Sequence, residues 1–159
     1  MELAPVAPLP AVTGLDVVVS SVASDSHTWN LIFLQLLLEE LGHRVTNLGA
    51  CVPDELLVDR CRTLRPDLVV LSSVNGHGAV DGSRVVGRLR AEPELRSTPI
   101  VIGGKLGIEG AGNQARIAPL LRAGFDAVFD DSAGLGSFHS FVGRLPAARE
   151  PLAVTGAAS

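Results

Sequence analysis

The sequence predicts a doubly wound α/β domain built on a five-stranded parallel sheet. Three observations lead there. Valine-rich runs such as "LDVVVSSVA" (15–23) and "DLVVLSS" (67–73) show no polar–apolar alternation, the pattern of strands buried on both faces. Stretches with apolar residues at helical spacing lie between these runs. Glycine and proline separate the two kinds, so strands and helices alternate along the chain. For five parallel strands the order 2-1-3-4-5 is the common one, and right-handed crossovers then place helices on both faces.

Each element has its own local reason. Residues 1–13, "MELAPVAPLPAVT", carry three prolines and no helical period, and read as a loose arm before a domain over 14–145. The first strand is 15–23. A helix from Trp29 to Leu41 follows and is closed by Gly42. "HRVTNLG" (43–49) is the second strand. Pro53 opens the next helix, whose stripe is Leu57, Cys61 and Leu64. After the third strand (67–73) come a glycine-rich loop and a helix from about Asp81 to Arg90. "TPIVIGG" (98–104) is the fourth strand. "ARIAPLLRAG" (115–124) is helical, with Pro119 expected to start it late or kink it. "FDAVFDD" (125–131) is a short fifth strand and 135–145 the last helix. The segment 146–159 is rich in Pro, Ala and Gly and reads as a mobile tail.

Composition narrows the function. No apolar run of the 159 residues reaches the roughly 18–20 residues of a membrane span, and no basic-then-apolar leader opens the chain. A cytoplasmic protein is expected, and two cysteines, Cys51 and Cys61, fit that compartment without matching a zinc motif. A net charge of -4, no basic cluster and no Tyr argue against nucleic-acid binding.

In such a sheet ligands bind beyond the carboxyl ends of the strands, at the switch point between strands 1 and 3. That rule selects loops 24–29, 73–80, 103–112 and 130–135. Asp25 and His27 stand two apart in the first, so both can point to one side. A carboxylate behind an imidazole fixes the tautomer and leaves the second nitrogen free for a metal. With no three or four ligands nearby, the pair does not read as a zinc site. The competing reading makes Asp25 a helix cap with His27 in the first turn. In "VVLSSVNGHG" (69–78), Ser72 can point a hydroxyl into the crevice, and Gly76 and Gly78 allow close backbone approach. His77 is a rival metal ligand or a plain solvent-facing residue. In "VIGGKLGIEG" (101–110), Gly103 and Gly104 suggest contact with something flat, or simply a turn. A phosphoacceptor receiver domain would need an Asp where Ser72 and Ser73 stand. A Ser72–His27–Asp25 hydrolase would need a G-x-S-x-G elbow that the sequence lacks.

D-x-H after the first strand, S-S-x-x-G-x-G after the third and G-G after the fourth occur in order on the expected strand ends. With these motifs the chain resembles the cobalamin-binding family, most closely the small subunits of glutamate mutase (methylaspartate mutase), over about residues 14–145. The resemblance implies that His27 ligates cobalt from below in place of the cofactor's own dimethylbenzimidazole, and that Asp25 holds His27. It implies that Ser72 hydrogen-bonds the displaced benzimidazole and that Gly103 and Gly104 leave room for the nucleotide tail. Ser26, Asn30, Val74, Gly76 and Lys105 are placed beside the cofactor in the same loops. Asn30 departs from the family pattern, which has Gly there. Lys105 stands where Asn is more usual, and Asp130 and Asp131 stand where a Pro-Gly turn is expected.

By the same resemblance the chain is expected to be the small subunit of an adenosylcobalamin-dependent isomerase that converts L-glutamate to 3-methylaspartate. It is too short to include a substrate-holding barrel, so a larger barrel-type catalytic subunit is the expected partner. No arginine cluster suited to clamping a dicarboxylate is evident; Arg84, Arg88 and Arg90 on one helix read as a solvated face. Two alternatives remain: a corrinoid methyl carrier, which usually has a longer helical segment before the domain, and a cobalamin sensor or storage module. A direct transcriptional role is not expected, because no DNA-binding segment accompanies the domain. The apolar residues Leu31–Leu38 on nearly every side of the first helix call for cover beyond the sheet.

Overall fold

A computed structural model describes residues 14–105, 113–130 and 134–146. The arm, most of the tail, loop 106–112 and Asp131 lie outside the described residues. The elements run β1 (Asp16–Ser21), α1 (Trp29–Glu40), β2 (Arg44–Asn47), α2 (Asp54–Leu64), β3 (Leu68–Ser73), α3 (Gly78–Arg90), β4 (Ile100–Gly104), α4 (Asn113–Ala123), β5 (Ala127–Asp130) and α5 (Gly134–Arg144). The sheet has the expected order β2-β1-β3-β4-β5, and every pair is parallel. The chain moves outward from β1 to β2 and then crosses back to β3. A crevice therefore opens between the carboxyl ends of β1 and β3.

Continuous burial of the strands hides a period of two. Val17, Val19, Leu68, Val70 and Val101 face α1 and α5, where Leu31, Leu38, Phe138 and Val142 complete one core layer. Val18, Val69, Leu71, Ile100 and Ile102 face the other way, against Leu57, Cys61, Val85, Leu89 and Leu120. Cys61 is thus a core residue, and burial pushes its thiol up to about 12.

Most boundaries follow the sequence. Gly42, at φ 94°, closes α1 with hydrogen bonds from Gly42 N–H to Glu39 O (3.0 Å) and His43 N–H to Leu38 O (3.0 Å). Three details differ. Helix α3 starts at Gly78 and not near Asp81, because Gly76, at φ 86°, makes the sharp bend and buried Gly78 already lies in the first turn. Helix α4 starts at Asn113, so Pro119 falls inside it and does not open it. A single 3-10 turn, Pro93–Leu95, fills the connection before β4 and seats Leu95 in the core. Among the described residues no helix is long and apolar enough to cross a membrane.

Gly104 sets the end of β4. Its φ is 103°, and a Cβ there would stand 2.2 Å from the carbonyl oxygen of Ser73 on β3. Only a residue without a side chain lets the two strand ends lie together at the mouth of the crevice. Gly104→Ala is expected to destabilise the protein by at least about 1–3 kcal/mol. Urea unfolding followed by circular dichroism checks this; an unchanged midpoint would contradict the close approach.

Candidate functional site

The loop after β1 folds back on itself. Asp25 N–H donates to Val22 O (3.1 Å), and Cys51 N–H donates to Asp25 O (2.8 Å), which ties the turn to the loop after β2. Asp25 has no exposed surface. Its Oδ1 accepts the His27 backbone N–H (2.9 Å) and lies 2.7 Å from His27 Nδ1. Its Oδ2 accepts the Ser73 hydroxyl (3.0 Å) and the Val74 backbone N–H (2.7 Å). Burial alone would raise the Asp25 carboxyl, but these four hydrogen bonds together hold it below the usual carboxylate range. An ionised carboxylate can only accept, so Nδ1 of His27 carries the ring proton. The lone pair is then on Nε2, on a side chain that is 56% exposed beyond the strand ends. Asp25 is no helix cap: Thr28 occupies the N-cap of α1, and no side chain caps that helix.

A second group supports the first. Asn75 Nδ2 lies 3.1 Å from both the carbonyl and hydroxyl oxygens of Ser24, which joins the loops after β1 and β3. Asn75 Oδ1 accepts the His77 N–H (2.9 Å) at the start of α3. The Ser24 hydroxyl donates to Asp81, and Arg84 bridges Asp81 (3.0 Å) to Asp54 (2.7 Å) on α2. Burial raises the Asp81 carboxyl, yet the Ser24 hydroxyl and the Arg84 guanidinium hold it below the usual range. Sequence reasoning missed Ser73, Ser24 and Asn75. Ser73 alone carried a signal: next to Ser72 at a strand end, it had to face the opposite side.

Beside this cluster a cavity of about 260 Å³ runs between α1, the ends of β3–β5 and α5. Phe33, Leu34, Val70, Val101, Phe129 and Phe138 give it an apolar, partly aromatic wall. Asn30 and Ser72 stand together on its lining, with Asn30 Nδ2 donating to Ser72 Oγ at 2.6 Å. Asn30 Oδ1 is buried and has no hydrogen-bond partner among the described residues. Gly103 and Gly104 also line the cavity. A Cβ on Gly104 would collide with Ser73 O, and one on Gly103 would be tight, 3.1 Å from Phe129 O. The first service of Gly104 is therefore to the close packing of the strand ends.

The structure thus gathers Asp25, His27 and Val74 into one hydrogen-bonded group, and Asn30, Ser72, Val74, Gly103 and Gly104 onto one cavity. Ser26 and Lys105 are exposed at the rim and Gly76 serves the bend before α3. His77 is exposed at the N-cap of α3, and no three His, Cys, Asp or Glu side chains among the described residues converge on a metal position. Arg84, Arg88 and Arg90 are held by the protein's own acids, Asp54 and Asp81, Glu55, and Asp126 respectively.

Four similarities to known proteins bear on this site. The family model of the B12 binding domain matches residues 15–129. The chain is 34% identical over 98 residues to the HTH-type transcriptional repressor CarA of Myxococcus xanthus, covering 60% of this chain and 32% of that protein. It therefore spans about a third of that relative's length. It is 26% identical over 113 residues to the glutamate mutase sigma subunit of Fusobacterium nucleatum, covering 71% of this chain and 82% of the subunit. A solved cobalamin-binding protein from Desulfitobacterium hafniense DCB-2 superposes with a TM-score of 0.63 at 24% identity, covering 81% of this chain and 59% of that one, a likeness of fold.

The depressed Asp25 carboxyl has a measurable consequence. Its contribution to stability is complete above the ordinary carboxyl value of about 3.9 and is lost as pH falls through its lowered native value. Asp25→Asn removes that ionisation and replaces one acceptor oxygen with an amide NH2 that faces donors. The variant should be less stable than the wild type by about 2–4 kcal/mol at pH 7, with the gap narrowing below about pH 4. Urea midpoints at both pH values check this; a gap independent of pH would contradict an ionised Asp25.

Proposed function

The chain belongs to the B12-binding domain family, and on that premise we propose that it carries cobalamin with His27 as the axial ligand below cobalt. The observation that carries the reading is the His27 ring itself. Nδ1 is bound to a fully buried carboxylate, and Nε2 is left as a bare donor at the switch-point crevice. One protein ligand would suffice for such a metal, because the corrin brings donors of its own. The rest of the site fits the group. The largely apolar cavity behind Asn30 suits a displaced heteroaromatic base and its sugar. The Ser72 hydroxyl stands where it can donate to a ring nitrogen of that base.

The residues divide the work. His27 binds the metal and Asp25 holds its tautomer and direction. Ser73 and the Val74 N–H hold Asp25, and Asn75 ties the two loops so that neither can swing away. Adenosylcobalamin held there would supply the radical chemistry of a carbon-skeleton rearrangement. Our reading is the cofactor-carrying small subunit of an adenosylcobalamin-dependent mutase of the glutamate mutase kind, acting with a separate barrel-type catalytic subunit in the cytoplasm. It is supported by a match that runs over 82% of a glutamate mutase sigma subunit. It is also supported by the arginines: Arg84, Arg88 and Arg90 are occupied by the chain's own acids, which leaves the clamping of a dicarboxylate to the partner. The partner would also have to shield the bound cofactor from water.

A second reading, a ligand-binding module of a transcriptional repressor, is favoured by the 34% identity to CarA. A corrinoid methyl carrier has the same requirement for His27.

The test is direct. After incubation with adenosylcobalamin and desalting, the wild type should keep the red colour. His27→Ala should lose it, or keep cobalamin with its own benzimidazole still on cobalt. Candidate amino acids should give no product with this chain alone and a rearranged product once a barrel-type mutase subunit is added. A colourless desalted wild type would refute the cobalamin reading. Turnover by the chain alone, or methyl transfer between two added partners, would refute the mutase reading.

A further inference from the structure

Asn30 is the one polar side chain on the apolar helix α1 that lines the cavity, and its two amide atoms are treated differently. Nδ2 is committed to Ser72 Oγ at 2.6 Å. Oδ1 is buried and unsatisfied among the described residues. A buried carbonyl without a donor is costly, and native proteins seldom keep one unless a ligand or an ordered water completes it. The hydroxyl of Ser72, having accepted one hydrogen bond, still has its own hydrogen to give. Together the two residues present one donor and one acceptor side by side on a wall that, apart from Asp130 at the end of β5, is apolar and aromatic. That is the pattern of an edge-reading pair for a heteroaromatic base. One atom answers a ring nitrogen, and the other requires an N–H on the base.

We propose that Asn30 is a specificity residue for the base of the corrinoid's nucleotide tail, and that it selects a purine with an exocyclic amino group, such as adenine. Dimethylbenzimidazole answers only half of the pair. Its free ring nitrogen can accept from Ser72, but its methyl groups give Asn30 Oδ1 nothing, and the carbonyl stays orphaned in the complex. An amino-bearing purine supplies the ring acceptor and the missing donor from one base. A site built to hydrogen-bond a ligand group rejects the analogue that lacks it, because its own polar atom is then left unpaired. This inference rests on the cobalamin reading above and narrows it to a class of corrinoid.

The experiment is a spectral titration of the full chain with three corrinoids: one with an adenine base, one with an unsubstituted purine base, and cobinamide, which has no tail. Adenine and purine share a ring system and differ in the amino group that Oδ1 would read. The adeninyl corrinoid should bind the wild type on the order of tenfold more tightly than the purinyl one. In Asn30→Ala the two should bind alike. The wild-type comparison needs no variant, so it holds even if Asn30→Ala fails to fold. Equal binding of adeninyl and purinyl corrinoids by the wild type would overturn the proposal, as would a preference that survives in Asn30→Ala. Cobinamide separates the two levels. If it binds as tightly as the complete corrinoids, the tail is not read and this inference fails while the His27 reading stands. If none of the three binds, the cobalamin reading itself fails, and this inference with it.

Discussion

Asp25 is buried without any exposed surface, yet its carboxyl stays ionised, because four donors converge on its two oxygens. The candidate site depends on that arrangement. A lone carboxylate in the interior would shed its charge, and a neutral one would no longer fix the proton on His27 Nδ1. Two of the donors, the ring and the backbone N–H of His27, come from the loop after β1. The other two, the Ser73 hydroxyl and the Val74 N–H, come from the end of β3. The same oxygens that orient the imidazole therefore also lock the two loops of the switch point to each other. Ser24, Asp81, Arg84 and Asp54 extend this lock outward to α3 and α2.

The sheet makes the convergence possible. Parallel pairing in register brings Ser21 of β1 beside Ser72 of β3, and Ser72 and Ser73 beside Gly103 and Gly104 of β4. Successive residues then face opposite sides. Ser73 turns toward Asp25, and Ser72 turns toward the cavity and Asn30. A single dipeptide thus serves both halves of the candidate site, the support of the His27 ring through Asp25 and the lining of the cavity. Around them α1 keeps Leu31 and Leu38 in the core while Trp29, Ile32, Phe33 and Leu36 remain exposed. The cover that its apolar composition calls for is only half supplied by the sheet.

Much of this was legible in the sequence for a physical reason: the signals were local. Strand order followed from valine runs and crossover rules, the end of α1 from Gly42, and the Asp25–His27 contact from a spacing of two residues. What escaped depends on residues brought together from afar. Ser73 reaches Asp25 across 48 positions, Asn75 reaches Ser24 across 51, and Asn30 reaches Ser72 across 42. No periodicity encodes such pairs. The glycine pair suggests room for a ligand, and the structure adds that Gly104 is needed first by the neighbouring strand. Helix α3 begins earlier than propensity suggests, because burial in the first turn overrides the poor helix propensity of Gly78.

The central claim is that one imidazole, held by one buried carboxylate, is the metal ligand of this chain. The most direct measurement is the electron paramagnetic resonance spectrum of the protein loaded with cob(II)alamin, recorded with natural-abundance and with 15N-labelled histidine. The account predicts coupling to a single axial nitrogen, split in three with 14N and in two when histidine is labelled. A spectrum unchanged by the label would mean that the axial nitrogen belongs to the cofactor's own base, and would contradict the role assigned to His27.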